Sequence, residues 1–161
     1  MKVSIVSDTS SLIIFSKLDR FDLLGNAFDN VIIPHRVLKE TLSKEDKVVE
    51  ILTQNPLFEI QKTSNTYLLK LLDEVLDYGE AEAITLANDL NHPLLIDEKK
   101  GRKIALGMDI KVIGFLGILL LNKRQGKLTV KEAKELVNKA QQYQFRIAKQ
   151  LQQQFIKLLG K

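Results

Sequence analysis

The fold is decided by residues 93–106, PLLIDEKKGRKIAL, in which an apolar run ends at an acid and a helical pattern follows. An uninterrupted apolar run is typical of a strand that is buried on both faces of a sheet. Pro93 to Asp97 is therefore predicted to form a strand with the acid at its end, and Lys99 to Leu106 a helix. A buried strand that leads into a helix is the repeating unit of a parallel α/β sheet.

The same unit occurs at the start of the chain. The β-branched run Val3–Ser7 predicts a short strand that ends immediately before Asp8. The residues that follow are helical in pattern, and Ser10 or Ser11 can cap that helix. Two acids are therefore expected directly after two buried strands.

Further strands and helices extend the alternation. Val31–Ile33 predicts a strand that is stopped by Pro34, a residue that suits the first turn of a helix. The other predicted elements are a short edge strand or loop over Leu57–Ile60, helices over Tyr67–Leu76 and from Glu80 to Leu90, and a strand over Val112–Gly114. This order predicts an α/β domain of three layers, α/β/α, with a central and mostly parallel sheet of four to five strands.

The C-terminal part of the chain is predicted to be helical only. Thr129 with Glu132 three residues later forms a capping-box pattern at the start of one helix. We therefore divide the chain into a domain over residues 1–128 and a helical extension over residues 129–161. An apolar stripe in the extension is expected to pack on the domain or on a partner; it consists of Ala148, Leu151, Phe155 and Leu158.

Composition excludes several classes of function. The 161 residues suit one domain, and the absence of cysteine rules out disulfides, thiolate zinc sites and cysteine nucleophiles. Two histidines are too few for a histidine-rich metal site. The longest apolar run, Val112–Leu121, is about half of the roughly 20 residues that a membrane-spanning helix needs, and no secretory signal is visible. We expect a soluble, cytoplasmic protein with no membrane contact.

Four acids are placed where they can meet. Asp8 and Asp97 follow two strands, and in a parallel sheet the ends of these strands lie at one edge, where ligands bind. Glu40 lies in the helix after a third strand, and Glu80 opens another helix. Carboxylates without histidine or cysteine favour Mg²⁺ or Mn²⁺. One or two such ions support the hydrolysis of phosphodiesters.

Each acid also has a structural explanation. Asp8 and Asp97 can be helix N-caps, Glu80 suits the dipole of its helix, and Glu40 can be a solvated surface residue. Taken singly, these explanations are the stronger ones. Together they weaken, because the acids are predicted to converge on one edge of the sheet.

Two neighbouring acids compete for the same positions. Glu82 lies two residues after Glu80 and faces another side of the helix, and we choose Glu80. Glu98 adjoins Asp97, and we choose Asp97 because it follows the apolar strand directly.

Charge is distributed unevenly along the chain. Residues 1–98 carry 9 Lys/Arg and 17 Asp/Glu, a net charge of −8, whereas residues 99–161 carry 15 and 3, a net charge of +12. Lys99, Arg102 and Lys103 follow Asp97 closely and are candidates for binding the phosphates of a polyanionic partner. Arg102 is the best of them because a guanidinium binds phosphate through two hydrogen bonds. A solvated helix face is an equally good explanation.

Five segments in chain order resemble the PIN-domain family, and most closely a little-characterised, VapC-like prokaryotic subfamily of it. The resemblance covers roughly residues 3–128. It is carried by Ile5–Leu12, Pro34–Glu40, Gly79–Ile84, Leu95–Ala105, and the region of Val112–Leu119 with Lys123–Leu128. It implies a PIN-like fold and the activity of a Mg²⁺- or Mn²⁺-dependent endoribonuclease.

The resemblance also implies roles and partners. By position, the metal-site and catalytic acids are Asp8, Glu40, Glu80 and Asp97, and Thr9 or Ser10 supplies a hydroxyl near Asp8. The best-known members are toxins of type II toxin–antitoxin pairs, which form homodimers and are inhibited by a small antitoxin protein. Many toxins have aspartate where this chain has Glu80. The alternative is a catalytically inactive PIN-like scaffold that binds RNA or a protein partner.

Overall fold

The architecture is a parallel sheet with helices on both faces, seen in a computed structural model that describes residues 3–161 apart from the side chain of Asp46. The first two residues of the predicted 1–128 domain lie outside this range. Within the range, five strands and ten helices follow in the order β1 (Ser4–Ser7), α1 (Thr9–Lys17), α2 (Asp22–Ala27), β2 (Asn30–Pro34), α3 (His35–Lys44), α4 (Asp46–Gln54), β3 (Phe58–Gln61), α5 (Thr66–Asp73), α6 (Tyr78–Leu90), β4 (Leu94–Leu95), α7 (Lys99–Gly107), β5 (Val112–Ile113), α8 (Phe115–Arg124), α9 (Val130–Gln142) and α10 (Lys149–Leu159).

The strand order β3-β2-β1-β4-β5 places β1 at the centre, and all neighbouring strands are parallel. The chain first builds outward from β1 to β3 and then returns to β4 on the other side of β1. The boundary between β1 and β4 is therefore the topological switch point, where open α/β sheets bind ligands. The Asp8 amide donates to the Leu95 carbonyl at 3.0 Å, so the chain leaves both strands at the same edge.

Consecutive strand residues point into two separate cores, as the two-residue period of a strand requires. Ile5 and Leu95 belong to a core with α1, α2, α8 and the C-terminal helices. Val6, Leu94 and Ile96 belong to the opposite core, with α5, α6 and α7. The three-layer α/β/α fold and the parallel sheet predicted from the sequence are confirmed.

Two local predictions differ from the structure. Pro34 is the last residue of β2 and directly precedes the first residue of α3, rather than lying within the first helical turn. The helix α4 was not predicted, because Val48 and Val49 favour strands locally. Tertiary packing decides the outcome: Val48 and Leu52, one turn apart, are both buried in the core.

The C-terminal helices pack on the rest of the molecule. Thr129 and Glu132 form the predicted capping box at the start of α9. In α10 the expected stripe is only partly correct, since Phe155 and Leu159 are buried whereas Leu151 and Leu158 are 53% and 40% exposed. Ala148 precedes the helix and is also exposed. Within residues 3–161, no helix combines the length and apolarity that crossing a bilayer requires.

Candidate active site

The strand-end aspartates occupy the carboxyl edge of the sheet at the switch point. Asp8 is 1% exposed and caps α1, because its Oδ1 accepts the Ser11 backbone N–H at 3.0 Å. The predicted caps Ser10 and Ser11 are therefore wrong, and the aspartate itself takes this role. Burial, and then the nearby charge of Asp97, raises the pKa of Asp8 to about 7.

Asp97 is linked to Asp8 through one residue. The Ser11 hydroxyl donates to Asp97 Oδ2 at 2.7 Å, while the Ser11 amide donates to Asp8. The Phe115 amide, at the start of α8, also donates to the two Asp97 oxygens at 3.0 and 3.2 Å. Burial raises the pKa of Asp97, although the bonds from Ser11 and Phe115 and the charge of Arg102 oppose this shift.

Ser11 was not selected from the sequence, which pointed to Thr9 or Ser10 for the hydroxyl near Asp8. Ser10 is exposed, and Thr9 contacts Glu40 instead. Ser11 could have been identified by taking Asp8 as the N-cap of α1. Ser11 is then the third helical residue, and its amide points back at the capping side chain.

Glu40 lies on α3 beside the start of α1 and the start of α6. Its Oε2 accepts the Thr9 hydroxyl at 3.3 Å, and its Oε1 is a buried atom without a hydrogen-bond partner among the described residues. A Cβ on Gly79 would collide with this carboxylate and lie 3.0 Å from Thr9 Oγ1. Glycine at this position therefore makes room for Glu40.

Glu80 lies in the first turn of α6 and faces the start of α7. Burial, and then its contacts with Glu98 and Asp77, raises the pKa of Glu80 to about 9. Its Oε2 is buried and has no hydrogen-bond partner in the part of the chain that the structure describes. A Cβ on Gly101 would lie 2.6 Å from that oxygen.

Glu98, not Asp97, caps α7. Its side chain accepts the amides of Lys100 at 3.1 Å and Gly101 at 2.7 Å. Partial burial opposes ionisation, but these amides hold the pKa of Glu98 below its usual value. Because Glu98 is held ionised, a proton shared between the two glutamates resides on Glu80.

Glu82 has a structural role. It is 1% exposed and accepts the backbone amides of Arg36 at 2.8 Å and Thr63 at 3.1 Å. These bonds join α6 to the start of α3 and to the segment after β3. Glu80 and Glu82, two residues apart, therefore face different surroundings.

The carboxylates offer oxygen donors only, and two of them carry buried oxygens without a partner. A hard divalent cation suits this donor set, since it supplies the positive charge that burial and mutual repulsion demand. The acids approach one another in pairs, Asp8 with Asp97 and Glu80 with Glu98. Across residues 3–161, no three Asp, Glu or His side chains are arranged to hold one ion, so the expected single cluster of four is not formed as such.

Basic residues adjoin the aspartate pair. Arg102 is half-buried, and its Nη1 donates to the Ile96 carbonyl at 2.7 Å. A Cβ on Gly114 would lie 2.6 Å from Asp97 Oδ1 and 2.9 Å from Arg102 Nη1, so the guanidinium and the carboxylate flank the same glycine. Lys99 and Lys103 are exposed on α7.

A cavity of about 350 Å³ opens beside this end of the site. Asp97 and Arg102 form one end of it, and its walls come from α8, from α10 and from the turn between α9 and α10. This cavity could not be predicted from the sequence, because its two walls, α8 (Phe115–Arg124) and α10 (Lys149–Leu159), are distant in the chain.

The fold and its carboxylates define an α/β domain of PIN type. The chain belongs to the PIN-domain family: the DUF3368 family model, described as a PIN domain, matches residues 4–161. PIN domains are generally of nuclease type. The match continues past residue 128, where the resemblance seen in the sequence ends, so the helical extension is included in it.

Among solved structures, the chain is similar to a PilT N-terminus domain protein, SSO1118, from the hyperthermophilic archaeon Sulfolobus solfataricus P2. The TM-score is 0.50 at 16% sequence identity, and the alignment covers 86% of this chain and 93% of the other. At this identity the likeness concerns the fold alone. Comparison with curated proteins gave no match.

Proposed function

We propose that the protein is a Mg²⁺- or Mn²⁺-dependent endoribonuclease whose metal-binding acids are Asp8, Asp97, Glu80 and Glu40. One observation supports this most strongly: the buried Asp8 and the half-buried Asp97 lie close together at the switch point and are held by the same residue, Ser11. Two carboxylates in this position repel each other, and neither forms a salt bridge within the part of the chain that the structure describes. The partnerless oxygens of Glu40 and Glu80 supply further donors.

The role that we propose for each residue follows from its surroundings. Ser11 and the Phe115 amide fix the direction of the Asp97 carboxylate, and the Ser11 amide fixes Asp8. Glu80, with its raised pKa, holds a proton at neutral pH, and a cation bound beside it would favour the ionised carboxylate. Arg102, Lys99 and Lys103 bind the phosphates of the RNA. A bound cation supplies charge neutralisation at the phosphate and lowers the pKa of water.

The proposal extends to partners through the resemblance to VapC-like toxins. As such a toxin, the protein forms a homodimer and is inhibited by a small antitoxin protein. Expression in a bacterial host tests this extension directly. Growth arrest by the wild type but not by Asp97→Asn supports a toxin, whereas equal growth leaves a nuclease outside a toxin–antitoxin pair.

Cleavage of a mixture of structured and single-stranded RNA tests the activity. The wild type is expected to cleave with Mn²⁺ or Mg²⁺ and not with EDTA, and Asp8→Asn and Asp97→Asn lose this cleavage. Asp109→Asn is the matched control, since Asp109 is exposed and asparagine tolerates its left-handed backbone (φ 61°). Cleavage that survives both substitutions, or no cleavage by an inhibitor-free wild type, favours the inactive scaffold.

A further inference from the structure

The cavity beside Asp97 has an amphipathic lining. Its lining includes Arg102 and Arg146, and most of the other lining side chains are apolar. Leu151 and Leu158 line it while remaining 53% and 40% exposed. Exposed leucines on the α10 side of the cavity leave apolar surface without a partner in the described residues, which favours a ligand with an apolar part. The other apolar walls are Leu116, Leu120 and Phe145.

The cavity extends to the candidate active site because α8, which lines it, packs closely against the end of the sheet at two glycines. Gly114 lies against Asp97 and Arg102, and Gly117 lies against Ile113, where a Cβ would come within 2.6 Å of the isoleucine side chain. The first turn of α8 therefore sits directly on the sheet edge. A ligand in the cavity contacts the same carboxylate that the proposed function assigns to catalysis.

Charge favours an anionic ligand. Asp97 is the only acid in the lining, and it belongs to the proposed metal site. Arg146 is exposed and has no ion-pair partner within residues 3–161. The α10 helix contains no acid, and residues 99–161 carry a net charge of +12. Arginine binds phosphate through a planar pair of N–H groups.

Size favours a small ligand over a partner helix. Clefts for small ligands have volumes of about 300–1,000 Å³. The observed volume of about 350 Å³ lies at the lower end of that range. An amphipathic helix needs an elongated groove with anchor sites over several turns. A ligand with one flat ring and one phosphate matches the cavity better than a helix does. Bases of single-stranded RNA commonly lie against aromatic and arginine side chains.

We propose that this cavity binds the nucleobase next to the scissile phosphate of the RNA, with Arg146 and Arg102 facing a phosphate. The proposal rests on the proposed ribonuclease function and assigns substrate recognition to the C-terminal extension. The base lies between α8 and α10, against Phe145 and the exposed leucines. The extension is then part of the substrate site and not only a cover for the core.

The test uses mononucleotides, which contain no phosphodiester to cleave. Methyl NMR in EDTA follows titrations with AMP, UMP and ribose 5-phosphate. The nucleotides are expected to shift the signals of Leu116, Leu151 and Leu158, whereas ribose 5-phosphate shifts them at least tenfold less at equal concentration. Because neither cleavage nor a metal is involved, failure of the ribonuclease proposal leaves this result unaffected.

Two variants of α10 sharpen the test. Leu151→Glu places a charge in the cavity and is expected to weaken nucleotide binding at least tenfold. Ile156→Glu is the matched control, since Ile156 is 50% exposed on the same helix but does not line the cavity. Arg146→Ala, outside the helix, is expected to weaken binding of AMP and UMP as well. Equal binding by the two glutamate variants, or shifts independent of a base, would overturn the proposal and assign the cavity to a protein partner.

Discussion

The two strand-end acids and the two helix acids are held in different ways. Asp8 and Asp97 follow neighbouring strands, and both accept hydrogen bonds from Ser11. Glu40 and Glu80 come from helices on the rim, and each has one buried oxygen without a partner in the described part of the chain. The strand-end pair is fixed by the fold itself.

This difference shows how a parallel sheet can hold a group of carboxylates. Backbone amides at helix starts can satisfy carboxylates that emerge from strands, so hydrogen bonds offset part of the cost of burying Asp8 and half-burying Asp97. The helix acids depend on space instead. Gly79 and Gly101 leave room for Glu40 and Glu80, and one buried oxygen of each accepts no hydrogen bond from the described residues. Asp8 and Asp97 are thus held in place by hydrogen bonds, whereas Glu40 and Glu80 each keep an oxygen that a ligand can bind.

The largest expected effect concerns the buried charge of Asp8 in EDTA. The pKa of Asp8 in the folded state, about 7, lies above the usual aspartate value of 3.8, so the unfolded chain ionises first as pH rises. The protonated Asp8 therefore costs the wild type no stability below about pH 4. As the pH rises from 4 to 7, the free energy of unfolding falls by on the order of 4 kcal/mol, because the folded state then has to bury the charge. Asp8→Asn has no carboxyl group at this position, so its free energy of unfolding does not show this decrease. Urea unfolding at pH 4.5 and 8 measures the change.

Asp109→Asn is the control for that experiment, since it removes an exposed acid of the same type. It is expected to follow the wild type at both pH values. If Asp8→Asn also follows the wild type, the buried charge at the switch point is not a source of instability. The contrast between the two kinds of acid then disappears.

The next effect tests whether glycine positions the strand-end pair. Gly114→Ala pushes a methyl group into the space of Asp97 Oδ1 and is expected to lower RNA cleavage about 100-fold, comparable with losing an outer-shell partner of a metal ligand. Gly107→Ala is the control, because a Cβ there meets no atom within 4 Å. Steady-state cleavage rates with Mn²⁺ measure both. Equal rates for the two variants contradict the close fit.

A smaller effect separates two acids that lie two residues apart. Glu82→Gln weakens the bonds from the Arg36 and Thr63 amides and is expected to lower the free energy of unfolding by about 1–3 kcal/mol. Glu80→Gln removes a carboxylate that burial already disfavours, so stability in EDTA is unchanged or higher at pH 8. Urea unfolding compares them. The reverse order of stabilities would mean that the two roles are exchanged.

The smallest effect concerns the extension. Thr129→Ala removes the side-chain cap of α9 and is expected to lower the free energy of unfolding by about 1 kcal/mol. Lys131→Ala, in the same helix and exposed, is the control. Cleavage by the capped and uncapped proteins is expected to agree at 25 °C, since the cap lies outside the site. A large loss of activity in Thr129→Ala alone would tie the cap to the site.

The sheet was predictable because buried parallel strands have a strong local signature. The run before Asp97 is apolar and uninterrupted, the run before Asp8 is rich in β-branched residues, and the acids after them mark the edge. The helix α4 lacked such a signature, because its buried Val48 and Leu52 are recognisable only from packing.

The site was predictable in its residue types but not in its contacts. Sequence position suggested the four acids, yet it could not show that Ser11 joins two of them or that Glu98 caps α7. The Ser11–Asp97 contact joins segments that are 86 residues apart in the chain. The Glu98 cap is local, but Asp97 beside it is an equally good cap by residue type. The cavity between α8 and α10 depends on how the extension folds back.

The central claim is that the acids at the switch point bind a divalent cation. Calorimetric titration with Mn²⁺ measures this directly, without RNA, for the wild type, Asp97→Asn and Asp109→Asn. The account predicts that the wild type and Asp109→Asn bind Mn²⁺ alike and that Asp97→Asn binds at least about 100-fold more weakly. Equal binding by all three proteins, or no binding by the wild type, would contradict it.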